Sequence, residues 1–149
     1  ETFFGGPVGA ALGLAGLRTD PGGSTVIAGG VVVTNGPNGQ SFADPVTCVA
    51  NTTAASQVML QAGVGSISFE NTLDGAVSIT ASTAGVLSFL GAVGSKTPLA
   101  GLSITSAASV IAEVPISLDG DAPGAASDGI TIGTQVNAVT LVGGGTITK

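Results

Sequence analysis

The 149-residue sequence predicts an all-β chain wound as a parallel β-solenoid, one domain spanning residues 1–149 with coils of about 20–27 residues. Three observations predict it. First, a seventeen-residue stretch occurs twice. Phe4–Asp20 (FGGPVGAALGLAGLRTD) and Phe89–Thr105 (FLGAVGSKTPLAGLSIT) agree without a gap at Phe4/Phe89, Gly6/Gly91, Val8/Val93, Gly9/Gly94, Leu14/Leu99, Ala15/Ala100, Gly16/Gly101 and Leu17/Leu102. The match sets residues 4–36 against 89–121, too long a period for one structural unit, so shorter copies are expected between. Second, Phe-x-x-x-Val/Leu recurs at Phe42–Val46 and Phe69–Leu73, so that Phe4, Phe42, Phe69 and Phe89 are expected to stack as one internal ladder. Third, Gly, Ala, Val, Thr, Ser and Ile dominate, residues that suit strands and tight corners far better than helices.

Taken along the chain, Glu1–Gly9 reads as a short strand ending in a glycine turn. Ala10–Leu17 reads as a loop leading into a strand, because its repeat partner contains Pro98. Asp20–Gly23 is a turn; Thr25–Ile27 and Val31–Thr34 are strands separated by Gly29-Gly30. Asn35–Gly39 (NGPNG) is the densest turn signal of the chain. Phe42–Val49 reads as one strand containing Pro45, followed by Asn51-Thr52-Thr53; Gln57–Gln61 and Ser66–Phe69 alternate as strands do. Ala76–Thr80 (AVSIT) matches Gly101–Thr105 (GLSIT), which gives the unit a second recognisable strand. Ser109–Ala112, Pro115–Leu118, Ile130–Ile132, Val136–Val142 and Thr146–Thr148 complete the strands, with a loop over Asp119–Gly129. Apolar residues nowhere keep helical spacing over three turns. An antiparallel sandwich is the rival architecture, but it gives no reason for one pattern to recur four times.

The motif residues resemble the filamentous-haemagglutinin-like and β-strand-repeat segments of very large bacterial surface proteins. In these, F-x-G-x-V-G-x-x-x-x-L-x-x-L-x-[IV]-T alternates with G-x-[IV]-x-F-x-x-x-[VL]-D-G, and Phe69, Leu73, Asp74, Gly75, Phe89, Gly91, Val93, Gly94, Leu99, Leu102 and Ile104 fall on that pattern. The resemblance covers Gly36–Thr105 and, less fully, Phe4–Asp20; it fades after Asp119. It implies a right-handed parallel β-helix, export to the bacterial cell surface, and work as an adhesin, fibre or sheath component. Family members usually carry many more units than this chain.

Composition narrows the function classes. Nine acids against three bases give a net charge of −6, so nucleic acid, which needs clustered Lys and Arg, is not an expected partner. No apolar run reaches membrane-spanning length, so membrane insertion is not expected either. No signal peptide is visible, and the chain opens on Glu1 almost directly in a repeat unit, as a processed product or a piece of a longer protein would. Cys48 is the only cysteine and lies in a strand-like stretch, where a small buried hydrophobe is expected.

Catalysis is not expected. His and Tyr are absent, and most acids stand singly beside Gly, Pro or Asn as solvated turn residues. Asp119, Asp121 and Asp128 form the one acidic cluster; it is a weak Ca²⁺ candidate whose spacing matches neither the EF-hand loop nor the glycine-rich nonapeptide calcium repeat, and no cofactor is expected. Asn51-Thr52-Thr53 has the glycosylation pattern but reads as a turn, and Gly36 and Gly39 have no following Lys or helix to make a phosphate loop. Outward Ser and Thr rows would make a flat hydroxyl-bearing face, as in ice- or carbohydrate-binding solenoids, but the Thr spacing here is irregular. The sequence reading is thus a structural subunit or segment of an extracellular surface fibre. It self-associates end to end or continues in a longer chain, because a solenoid end without a cap exposes unpaired strand. The alternative is an adhesin module that contacts surface glycans.

Overall fold

A computed structural model describes residues 1–50, 57–118, 130–141 and 147–148. Its described secondary structure is all strand. The first coil holds β1 (Thr2–Phe4) and β2 (Leu14–Thr19), and the second holds β3 (Thr25–Ile27) and the long β4 (Val31–Phe42). Then follow β5 (Val46–Cys48), β6 (Gln57–Ala62) and β7 (Ile67–Phe69), and next β8 (Leu73–Asp74), β9 (Ser78–Thr83) and β10 (Val86–Phe89). The later coils hold β11 (Gly101–Ala107), β12 (Ser109–Ala112), β13 (Ile116–Ser117), β14 (Ile130–Val136), β15 (Val139–Leu141) and β16 (Ile147–Thr148).

Every registered pair of these strands is parallel, and the pairs sort onto three faces. The first face stacks β1, β3, β5 and β8, continues through bridges from Leu73 to Val93 and from Val93 to Ile116, and ends in β13 on β16. The second stacks Val8, the start of β4, β6, β9, β11 and β14. The third stacks β2, the end of β4, β7, β10, β12 and β15. The chain is therefore a three-faced parallel β-solenoid. On the first face the coil length is 23 residues from Thr2 to Thr25, 21 from Thr25 to Val46, and 27 from Val46 to Leu73. It is 20 from Leu73 to Val93, 23 from Val93 to Ile116, and 31 from Ile116 to Ile147, so only this last coil exceeds the predicted range.

Two-residue alternation decides what fills the interior. Val32, Leu60, Ala81, Ile104 and Ile132 lie over one another on the second face, and Leu17, Gln40, Ile67, Leu87, Val110 and Val139 on the third. The middle members of both ladders are buried. Because each interior rung is covered by the rungs above and below, short strands suffice to exclude water from the core.

The structure corrects several sequence expectations. Asn35–Gly39 does not break the strand: β4 runs through it, bending between two faces at an irregularity where the register with β2 jumps from Thr34 to Gly39. Gly39 makes the bend with φ of 59°, and a Cβ there would collide with the Ser66 carbonyl of the next coil. Phe42–Val49 is not one strand, since the chain leaves β4 at Phe42, corners through Ala43-Asp44-Pro45 and enters the first face as β5. Pro45 lacks the N–H an interior strand would need, which fixes the corner there. Val136 and Val139 belong to different strands, separated by Asn137-Ala138. The AVSIT and GLSIT segments do stack, but slipped by two residues: Ile79 lies on Leu102 and Ala81 on Ile104. A slip of two preserves which side chains face inward, so the pattern alone does not exclude it.

Candidate functional site

The centre of the molecule is an aromatic stack. Phe42, Phe69 and Phe89 occupy equivalent inward positions of β4, β7 and β10. Their ring centroids are 5.1 Å (Phe42–Phe69) and 5.6 Å (Phe69–Phe89) apart, with ring planes inclined by 11° and 4°. These spacings suit offset stacking inside a dry core, and all three rings are buried. The ladder continues backbone to backbone into Thr19 on one side and Ala112 on the other.

Phe4 does not belong to it. It lies on the first face, in register with Ile27 and through it with Cys48, and is only partly buried. The repeat itself is nonetheless real. Val8 N–H donates to the Val31 carbonyl while its own carbonyl accepts from Val33; Val93 N–H donates to Pro115 O while its carbonyl accepts from Ser117. Gly9 and Gly94 both have φ of 68°, and a Cβ on either would strike the carbonyl oxygen of the next coil, Val33 or Ser117. The two copies thus build one corner in two places. Copy one leads from the first face to the second, and copy two from the third face to the first. The motif specifies a corner, not a face, and sequence alignment alone could not show that rotation.

Two acids expected as solvated turn residues are buried instead. The Asp44 carboxylate accepts hydrogen bonds from Thr19 Oγ1 and from Thr25 Oγ1, the latter at 2.9 and 3.0 Å to its two oxygens. The Thr19 hydroxyl in turn accepts from Ala43 N–H at 3.2 Å, so this network locks the corner between β4 and β5 onto the first coil. Asp74 Oδ1 accepts from the backbone N–H groups of Lys96 (2.8 Å) and Thr97 (3.2 Å), closing the Ser95–Pro98 loop over the end of β8. The Asp44 carboxylate holds two threonine hydroxyls and that of Asp74 holds backbone, so both act as structural ties. The signal missed in the sequence was the Thr at 19 and 25, which provide donors one coil away.

Cys48 is fully buried, as expected, and burial pushes its thiol up to about 12 from 9.0. A thiol held protonated in an apolar core is a packing group. Asp119, Asp121, Asp128 and the Asn51-Thr52-Thr53 sequon lie outside the described residues. Among the described residues no group of three or more His, Cys, Asp or Glu could hold a metal ion, and no helix is long and apolar enough to cross a membrane.

The surface carries one feature built by the register. Val33, Gln61, Ser82, Ser106 and Gln135 are outward positions of successive second-face strands and lie one above another. Together with Asn35 and the Ala62-Gly63 and Thr83-Ala84 segments they line a groove of about 280 Å³ beside the corner between the second and third faces. A second, wider depression of about 480 Å³ lies on the flank of the first coil, between Ala15–Arg18, Asn38 and Ser41. Neither resembles an enclosed active site. Comparison with protein-family models, curated proteins and solved structures finds no match, so the fold places the chain in one broad class, the parallel β-solenoids.

Proposed function

We propose that the chain is a structural subunit or segment of an extracellular bacterial surface fibre, in which coils stack end to end on further coils. The observation that carries this reading is where apolar surface remains exposed. Interior coils bury their ladder positions almost completely, whereas Ile132 and Val139, the inward positions of the last ladders, are 43% and 45% exposed. At the opposite end Phe3, Leu12 and Leu14 are exposed, and Phe4, Val8 and Leu17 are only partly covered. Another coil on either end would bury the inward groups among these and satisfy the open backbone of β1 and β2, whereas the middle coils expose only Val49, Val64 and Leu90 of the large apolar residues described. Such a contact between copies is head-to-tail and does not close, so it propagates as a filament.

Electron microscopy with size-exclusion chromatography over a range of concentrations tests this. The expected result is concentration-dependent assembly into filaments one solenoid wide, suppressed by Ile132→Lys. A monodisperse monomer at every concentration overturns the stacking of copies.

A further inference from the structure

The bend of β4 carries two Asn-Gly pairs, Asn35-Gly36 and Asn38-Gly39. An Asn followed by Gly is chemically labile, because no Cβ on the following residue hinders its backbone nitrogen from reaching the side-chain amide carbon. The fold treats the two pairs differently. Both Asn residues are exposed, but the Asn35 amide lies between glycines of the coils on either side. A Cβ on Gly13 would collide with Asn35 Cγ and Nδ2, and one on Gly63 would lie 3.5 Å from Oδ1. Gly36 is pressed onto the first coil likewise, since a Cβ there would strike the Ala15 carbonyl. At Asn38 the first coil meets the stem of the side chain instead: a Cβ on Gly16 would come 2.6 Å from Asn38 Cβ. Asn38 lines the depression of about 480 Å³ that it shares with Ala15–Arg18 and Ser41. We propose that Asn38 is a site of spontaneous deamidation, and that Arg18 holds the carboxylate it produces.

The chemistry needs water and no other co-reactant. The Gly39 backbone nitrogen attacks Asn38 Cγ, the Cγ–Nδ2 bond breaks, and the proton from Gly39 leaves with the side-chain nitrogen as ammonia. Water then opens the cyclic imide at either of its carbonyls, which gives aspartate or isoaspartate at position 38. Nothing is oxidised or reduced. The attack requires the amide to swing toward the following nitrogen. Asn38 has the open depression for that swing, whereas Asn35 would have to displace a neighbouring coil, so its reaction waits for local opening.

The product meets a complementary charge. Arg18 is the one charged side chain among the described residues that line the depression. Gly16 and Arg18 are in register with Gly39 and Ser41, so the new carboxylate forms beside a cation. That attraction is modest at exposed positions, but it offsets the repulsion a further negative charge meets in a chain of net charge −6. The reaction takes place within one copy, so this inference does not depend on the fibre reading.

The test is ageing of the purified protein at neutral and mildly alkaline pH, folded and in guanidinium chloride, with deamidation at each Asn followed by mass-spectrometric peptide mapping. In the folded protein Asn38 is expected to convert at least about tenfold faster than Asn35. In denaturant the two rates should converge, because both are then plain Asn-Gly pairs. Asn38→Gln, at an exposed position, should keep the circular dichroism spectrum and lose the folded-state reaction. For the pairing, Asn38→Asp stands in for the product. Its new carboxyl should titrate about 0.2–0.7 of a pH unit lower with Arg18 than with Arg18→Gln, the size exposed pairs give. The modification site is overturned if Asn38 does not react in the folded protein, if it reacts no faster there than Asn35, or if its lead persists unchanged in denaturant. Equal titration with and without Arg18 overturns the pairing.

Discussion

The two copies of the seventeen-residue repeat share local geometry and differ in what surrounds them. In the second copy Phe89, Val93, Leu99 and Leu102 are all buried to 2% exposure or less. In the first copy Leu14 is 38% exposed, and Phe4, Val8 and Leu17 only pack against the core from its edge. The corner loop differs likewise: Lys96 and Thr97 donate to Asp74 from the preceding coil, whereas their counterparts Ala11 and Leu12 lie in the first coil, where Leu12 is 85% exposed. The comparison teaches that the motif encodes a shape, and that coils on both sides convert that shape into stability. This is nearest-neighbour energetics, as expected of a solenoid.

The largest effect separates the copies. Phe89→Ala removes a fully buried ring from the stack and should lower unfolding free energy by about 3–5 kcal/mol, measured by denaturant titration. Phe4→Ala at the matching position should cost about 1–2 kcal/mol in the monomer, because part of that ring already meets water. If coils of another copy cover Phe4, its cost should rise toward that of Phe89 as assembly proceeds. Equal costs in the dilute monomer would break the comparison.

A second pair of substitutions should erase the difference. Gly9→Ala and Gly94→Ala both force a side chain into left-handed backbone and against a carbonyl of the neighbouring coil. Each should cost about 1–3 kcal/mol, and the two should agree more closely than the Phe pair, since the cause is local. A large disparity would mean that the two corners differ in more than their covering coils.

The smallest effect concerns Cys48, which lies in the ladder below Phe4 and Ile27. Its folded pKa is raised from 9.0 to about 12, so the neutral thiol is the form that folding favours. Its contribution is fully present below pH 9, begins to fall as the unfolded thiol ionises, and is lost as pH rises through the folded value. One unit above the unfolded pKa the loss is about 1.4 kcal/mol. Comparing the parent with Cys48→Ala between pH 8 and 10.5 isolates this slope, which the variant should lack.

Much of this architecture is legible in the sequence, for a physical reason. Stacked coils put like residues in like places, so Phe42, Phe69 and Phe89 announce their ladder through spacing alone. What sequence could not supply is rotation and register. Phe4 carries the same motif as Phe89 yet sits on another face, because the coils between are unequal in length and the repeat does not span a whole number of them. AVSIT and GLSIT slip by two residues at no cost to the inward pattern. Asp44 and Asp74 look like turn acids, since the Thr and backbone donors that bury them come from adjacent coils. The groove is invisible for the same reason: Gln61, Ser82, Ser106 and Gln135 become neighbours only once the coils are stacked.

The central claim is that the phenylalanines of three successive coils lie over one another while Phe4 stands apart. Proton–proton Overhauser contacts between selectively labelled Phe rings test it most directly. The account predicts cross-peaks for Phe42–Phe69 and Phe69–Phe89 and none from Phe4 to Phe42. Missing contacts within the trio, or Phe4 contacting Phe42 as the next rung, would contradict it.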